Sequence, residues 1–173
     1  MPTAKPSHVR RDPKPKSGRP AMPKEYGIKG PRSGSGLIPW TRVEARLAKA
    51  RNYWIGTARP DGRPHVMPVW GVWLDQNFLF STSLSSQKGR NLARNPNLVV
   101  HLESGDDVVI LEGVAEEVTD LDWLARFADA YDAKYQFRPD IHDAKNGTYA
   151  LRVKTAFAWL EPDFPGGATR WQF

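Results

Sequence analysis

The stretch Arg63 to Leu92, RPHVMPVWGVWLDQNFLFSTSLSSQKGRNL, leaves a chain few ways to fold. It predicts an extended strand from Pro64 to Trp73, a tight turn at Asp75-Gln76-Asn77 and a second strand from Phe78 to Thr82. A serine-rich corner, Ser83 to Ser86, then opens a basic helix start at Gln87-Lys88-Gly89-Arg90-Asn91. A hydroxyl corner leading into a helix start offers unpaired N–H donors, and Lys88 and Arg90 add charge where a structural helix would sooner place Asp or Glu. That combination points to an anion site, with phosphate the natural occupant. Met67, Pro68, Val69, Trp70 and Trp73 on the adjacent strand supply an apolar surface beside it. A ligand with a flat ring at one end and a phosphate at the other suits such a pair of features.

The 173 residues fit one domain with a sizeable core, and no run reaches the roughly 18 apolar residues of a membrane helix. Without cysteine, disulfide and thiolate chemistry are excluded, which fits a reducing cytoplasm. His8, His65, His101 and His142 show no metal-binding spacing, so no metal site is expected. The net charge of +6 suggests nucleic acid only if taken whole. Residues 1–36 carry nine Lys/Arg against Asp12 and Glu25, which leaves the other residues with 16 basic and 17 acidic groups. The same 36 residues hold seven of the 15 prolines and few large apolar side chains, so a disordered or peripherally draped arm is expected there. Nucleic-acid binding ranks last among the functions considered, because the remaining chain is near neutral and carries no reading motif.

Residues 37–173 read as the folded domain. Thr41 with Glu44 three residues on makes a capping box for a helix running to about Ala50. Tyr53–Ala58 is a β-type run closed by the turn signal Arg59-Pro60-Asp61-Gly62. After the hairpin, Gln87–Arg94 forms a short helix stopped by Asn95-Pro96. Leu98–Leu102 and Val108–Val118 are strands, the second with a bulge or bend at Gly113. Thr119-Asp120 caps a helix through Leu121, Leu124, Phe127, Ala128 and Tyr131; residues 136–147 are loop, and Tyr149–Leu160 is a last strand. Six strands in hairpin succession, two or three short helices and no βαβ alternation predict a mainly β (α+β) chain. The expected architecture is an antiparallel sheet closed into a small barrel with helices outside.

The ordered series YWIGTARPDGRPHVMPVWGVW, FSTS, SSQKGRNL and NPNLVVHLESGDDVVILEGVAEEV resembles the pyridoxamine 5′-phosphate oxidase-like superfamily over roughly Trp40 to Phe173. It is most similar to the flavin/deazaflavin oxidoreductases with a split β-barrel. The resemblance implies a homodimer with FMN or coenzyme F420 in a groove between subunits, and hydride transfer to a small organic substrate. By position it implies that His65, Val66, Met67, Pro68 and Val69 run along the ring, and that Thr82 and Ser83 bond the ribityl chain or phosphate. Lys88, Arg90 and Asn91 would hold the phosphate. Arg170 and Trp171, in a C-terminal segment, would reach toward the cofactor or clamp the dimer. No residue is identified as a catalytic acid or base, and hydride chemistry needs none in principle. The strand HVMPVW is less basic than in true pyridoxamine phosphate oxidases, and their C-terminal substrate-phosphate motif is not found, so vitamin B6 oxidation is not expected. The alternative is a non-catalytic flavin- or haem-binding module; His101, inside an apolar strand, reads as a core histidine ahead of a haem ligand.

Overall fold

The computed structural model describes residues 14–27 and 36–173. The expected disorder of residues 1–13 and 28–35 falls outside the described residues. The first helix, α1 (Trp40–Lys49), buries Val43 and Leu47. Its N-cap is Pro39 with no side-chain cap, so the Thr41–Glu44 capping box does not form. Glu44 instead takes a hydrogen bond from Trp40, while partial burial pulls its carboxyl above the ordinary range.

Among the described residues, nine antiparallel strands follow one another as a split barrel. They are β1 (Lys16–Gly18), β2 (Tyr53–Ala58), β3 (Pro64–Val69), β4 (Val72–Leu74), β5 (Asn77–Ser83), β6 (Asn97–His101), β7 (Asp107–Glu117), β8 (Asn146–Leu160) and β9 (Thr169–Gln172). Their order is β1-β9-β8-β7-β6-β2-β3, with β5 pairing β8 and β4 pairing β5. Along one edge of β8, β5 takes residues 146–151 and β9 takes 155–158. The other edge of β8 is filled by β7 throughout.

The count exceeds the expected six for two reasons. The C-terminal residues form β9, on which β1 docks with Lys16 opposite Gln172 and Gly18 opposite Arg170. And the single strand expected over 64–73 breaks at Trp70-Gly71 into β3 and β4. At Gly71 a Cβ would lie 2.6 Å from the Phe78 ring and 2.8 Å from the Leu79 carbonyl, so the corner closes only on glycine. The helix α3 (Leu121–Tyr135) holds that corner: the Gly71 N–H donates to the Tyr135 hydroxyl (3.0 Å), and Lys134 Nζ donates to the Gly71 carbonyl (3.1 Å). Trp70 lies flat on Tyr135, centroids 4.7 Å apart. Lys134 also donates to the Tyr53 hydroxyl (2.8 Å), and burial with Arg51 nearby lowers its ammonium to about 8.

Other expected features are present. Asp120 caps α3, accepting from the Trp123 N–H at 3.1 Å, and the β7–β8 register shifts at Glu112/Gly113. A Cβ on Gly113 would meet the Arg152 carbonyl oxygen at 2.1 Å, which explains glycine at the bulge. The barrel is filled by Tyr53, Ile55, Phe78, Phe80, Leu111, Leu151 and Trp171. A second cluster, with Val72, Leu79, Leu124 and Phe127, seats α3. Within the N-terminal segment, residues 14–27 lie along the C-terminal strand: Arg19 donates to the Gly166 and Ala168 carbonyls, and Tyr26 sets its edge on Phe164 at 6.1 Å.

Candidate functional site

Most of the predicted site residues lie on β3, at the end of β5 and on the helix α2 (Gln87–Leu92), which packs on β2 and β5. Cross-strand partners share a face, and Thr57 pairs His65, Ile55 pairs Met67 and Tyr53 pairs Val69. His65, Met67 and Val69 therefore lie on the barrel side. Val66 and Pro68, opposite Gly56 and Trp54, lie on the outer side. The five-residue run thus presents two surfaces, with Val66 48% and Met67 46% exposed. Val66 borders an open outer groove of about 600 Å³ with Gly56, Ala58, Leu98 and Val99 along it. His101 also lines this groove, half-buried instead of in the core, with its ring stacked on Trp54 and Nδ1 2.8 Å from the Leu102 carbonyl.

The serine corner is internally bonded. Thr82 Oγ1 lies 3.1 Å from Ser86 Oγ, Ser83 Oγ lies 2.9 Å from Ser85 Oγ, and Ser86 caps α2 by accepting from the Gly89 N–H at 3.0 Å. With six residues and one N–H already capped, α2 offers little dipole, so side-chain charge must make the anion site. Gly89 lets the helix press against this corner: a Cβ would sit 2.4 Å from the Ser83 carbonyl and 2.9 Å from the Leu84 backbone. Gly89→Ala is expected to destabilise the protein by about 1–3 kcal/mol in denaturant unfolding, because the contacted atoms are backbone and cannot turn aside.

The three residues expected at the phosphate take different positions. Asn91 is fully buried; its Nδ2 donates to Thr57 Oγ1 (2.9 Å) and its Oδ1 accepts from Gln87 Nε2 (2.7 Å), so it braces α2 against β2. Arg90 is exposed and donates to the Ser85 carbonyl and to Gln87 Oε1 (3.0 Å). Lys88 is half-buried, and desolvation holds its ammonium below the ordinary lysine range. His65 is lowered from its usual value by burial and then by the positive charges of Arg59 and Lys88.

Arg59 is a residue the sequence shows only as the start of a turn. It follows β2 directly, and its N–H closes the turn on the Arg63 carbonyl at 2.9 Å. Its Nε, like His65 Nδ1, is buried without a hydrogen-bond partner. The carboxylate of the same turn, Asp61, is taken by Arg63 at 2.7 and 2.9 Å, and these bonds hold it below the ordinary carboxylate range. Among the described residues, then, Arg59, His65 and Lys88 form an electropositive cluster, with the Asp61 carboxylate bonded to Arg63 and also near enough to feel the charge of Arg59. Such a cluster fits a phosphate-bearing cofactor whose ring lies along an exposed apolar strand.

Arg170 and Trp171 do not join this cluster. Trp171 is 1% exposed, inside the barrel core and 5.4 Å from the Trp40 ring. Arg170 is carried on β9 between β1 and β8, its guanidinium 3.5 Å from Gln172 Oε1. The described residues contain no group of three or more His, Cys, Asp or Glu able to hold a metal ion, and no helix long and apolar enough to cross a membrane.

Comparison with known proteins agrees with this architecture. The chain is 40% identical over 80 residues to the pyridoxine/pyridoxamine 5′-phosphate oxidase of Gluconobacter oxydans, a match covering 44% of this chain and 38% of that protein. The chain thus matches about two-fifths of that relative's length. Among solved structures, the conserved hypothetical protein Rv2991 of Mycobacterium tuberculosis superposes with a TM-score of 0.65 at 23% identity, covering 74% of this chain and 88% of that one. An F420 reductase superposes with a TM-score of 0.55 at 23% identity, covering 65% and 94%. At these identities the structural likeness is one of fold. The profile of the pyridoxamine 5′-phosphate oxidase family matches residues 40–160, and the chain belongs to that family.

Proposed function

We propose that this protein is a flavin- or deazaflavin-dependent oxidoreductase, transferring a hydride between FMN or coenzyme F420 and a small organic substrate. The observation that carries the reading is the electropositive cluster of Arg59, His65 and Lys88 beside the exposed apolar strand β3. Membership of a family named for an oxidase and the likeness in fold to an F420 reductase support the same class. Vitamin B6 phosphates are not carried over as substrates, because the curated match spans only 38% of its relative.

In this reading Met67 and Val69 provide a flat apolar surface for the ring, and Lys88 anchors the phosphate end, with Thr57, Gln87 and Asn91 holding α2 in place. The bound cofactor supplies the hydride chemistry; the chain supplies position, local field and exclusion of water. No side chain is assigned as an acid or base: burial pushes the phenols of Tyr53 and Tyr131 upward, Tyr131 to about 12. Val66, Met67 and Trp70, each more than a third exposed, together with the outer groove, suit the interface of a cytoplasmic homodimer whose second copy completes the cofactor groove.

The test is a titration of cofactor-free full-length protein with FMN and with F420, followed by reoxidation of the reduced complex with a panel of conjugated acceptors. Binding of either cofactor with acceptor-dependent reoxidation is expected. Tight binding without reoxidation would support a non-catalytic carrier instead. Binding of neither to folded protein would overturn the reading.

A further inference from the structure

We propose that the outer edge of β9 is a strand-addition site for an extended peptide whose paired run ends in arginine, and that residues 16–19 are its resident, exchangeable occupant. The inference stands on the N-terminal segment and is independent of the cofactor reading. β9 gives one edge to residues 155–158 of β8 and the other to β1, with Lys16 opposite Gln172, Ser17 opposite Trp171 and Gly18 opposite Arg170. Recognition along this run is by main chain. Lys16 and Ser17 are exposed, and a Cβ on Gly18 would meet nothing within 4 Å. Backbone pairing of this kind supplies affinity with little choice of sequence, so a side-chain pocket has to supply the choice.

Arg19 fills such a pocket. It is 8% exposed, and its guanidinium donates to the Gly166 carbonyl and, at 3.2 Å, to the Ala168 carbonyl. The turn that carries these acceptors is held by bonds that residues 14–27 do not make. The Gly167 N–H donates to the Asp163 carbonyl at 2.7 Å, and the Ala168 N–H to the Pro165 carbonyl at 3.1 Å. Buried Thr169 donates its hydroxyl to the Gly167 carbonyl at 3.0 Å and accepts from the Ile38 N–H at 2.9 Å. The pocket is thus preorganised for its occupant. Two carbonyls suit the planar fork of a guanidinium better than the point charge of an ammonium, so arginine is the residue selected. Pro20 has no N–H with which to extend the ladder, and beyond it Tyr26, 52% exposed, adds an edge-on contact to Phe164 at 6.1 Å. Three paired residues and one buried side chain make a weak contact, which a tether sustains by raising the local concentration of the segment to the millimolar range. A second copy of the chain offers the same segment to the same groove, so occupancy in cis and in trans differs in the tether and not in the contacts. Residues 14–27 of a second copy are therefore the partner that the site fits.

The experiment titrates full-length protein with a fluorescent synthetic peptide of residues 14–27, read by anisotropy and by hydrogen exchange at the amides of β9. Wild-type protein, with its own segment in place, is expected to bind the peptide with a Kd above about 1 mM. Arg19→Ala in the protein vacates the pocket and should tighten peptide binding by at least about 10-fold, with slowed exchange at residues 169–172. Arg19→Lys, which keeps the charge and loses the fork, should fall between the two. A peptide carrying its own Arg19→Ala change should bind the protein variants at least about 10-fold more weakly than the unaltered peptide. If the folded variants bind the peptide no better than wild-type does, or bind it without regard to its arginine, the proposal fails. Wild-type protein gives a check that needs no variant. In isotope-labelled wild-type protein, several-millimolar unlabelled peptide should displace the resident segment and shift the amide signals of Ser17, Gly18 and Arg19. Signals that stay in place at that concentration would show that the segment is a fixed part of the sheet and would overturn the exchange.

Discussion

Trp171→Ala is expected to cost about 3–5 kcal/mol of folding stability, a fall in melting temperature of roughly 6–20 °C for a chain of this size. The indole is 1% exposed, the largest fully buried side chain among the described residues, and it meets Trp40 edge-on while lying opposite Ala156 of β8. Truncation would empty a hole bounded by strands from both ends of the chain. Trp171→Phe should recover much of the loss. Cofactor affinity, measured on the folded fraction well below the transition, should stay within about twofold of wild-type. Lost cofactor affinity with unchanged melting would mean that the residue acts at the ligand and not in the core.

The second large effect separates two neighbouring cations. Lys88→Ala is expected to weaken a phosphate-bearing cofactor by roughly 10- to 100-fold, the value of a charge-assisted hydrogen bond in a partly desolvated place. Arg90→Ala should change affinity by less than about threefold, because its guanidinium is exposed and engaged with the Ser85 carbonyl and Gln87. Equilibrium titration of both variants, with riboflavin as the phosphate-free control, distinguishes them. Equal losses in the two would place the phosphate at the exposed tip of α2. No loss in either would remove α2 from the site.

What the chain reveals before folding is set by how local each determinant is. The hairpin around Asp75-Gln76, the Asp120 cap and the Gly113 bulge are legible because neighbouring residues decide them. The break at Trp70-Gly71 is not, since it depends on Lys134 and Tyr135, more than 60 positions later. The capping box at Thr41 failed for a related reason: Trp40 starts the helix two residues early, packs on Trp73, Trp171 and Phe173, and takes Glu44 as a partner. The same holds for the site. Lys88 was visible from its serine-rich setting, whereas Arg59 acquires meaning only when β2 and β3 pair and bring it to His65. Asn91 lies three positions after Lys88, and only the packing of α2 on β2 turns its amide inward to Thr57.

The strand β8 has a consequence for how the protein is made. It pairs with β5, β7 and β9, so two earlier strands wait on one segment that begins at residue 146. A chain emerging from a ribosome at ~5–20 residues per second leaves an edge of β5 open for roughly 4–15 s, and one of β7 for roughly 2–9 s, before the end of β8 is made. Until then Phe80 has no partner strand, and Phe78 and Leu79 are paired only with the three-residue β4. Synthesis rate and chaperone supply, more than the stability of the finished barrel, will therefore govern how much soluble protein a cell obtains.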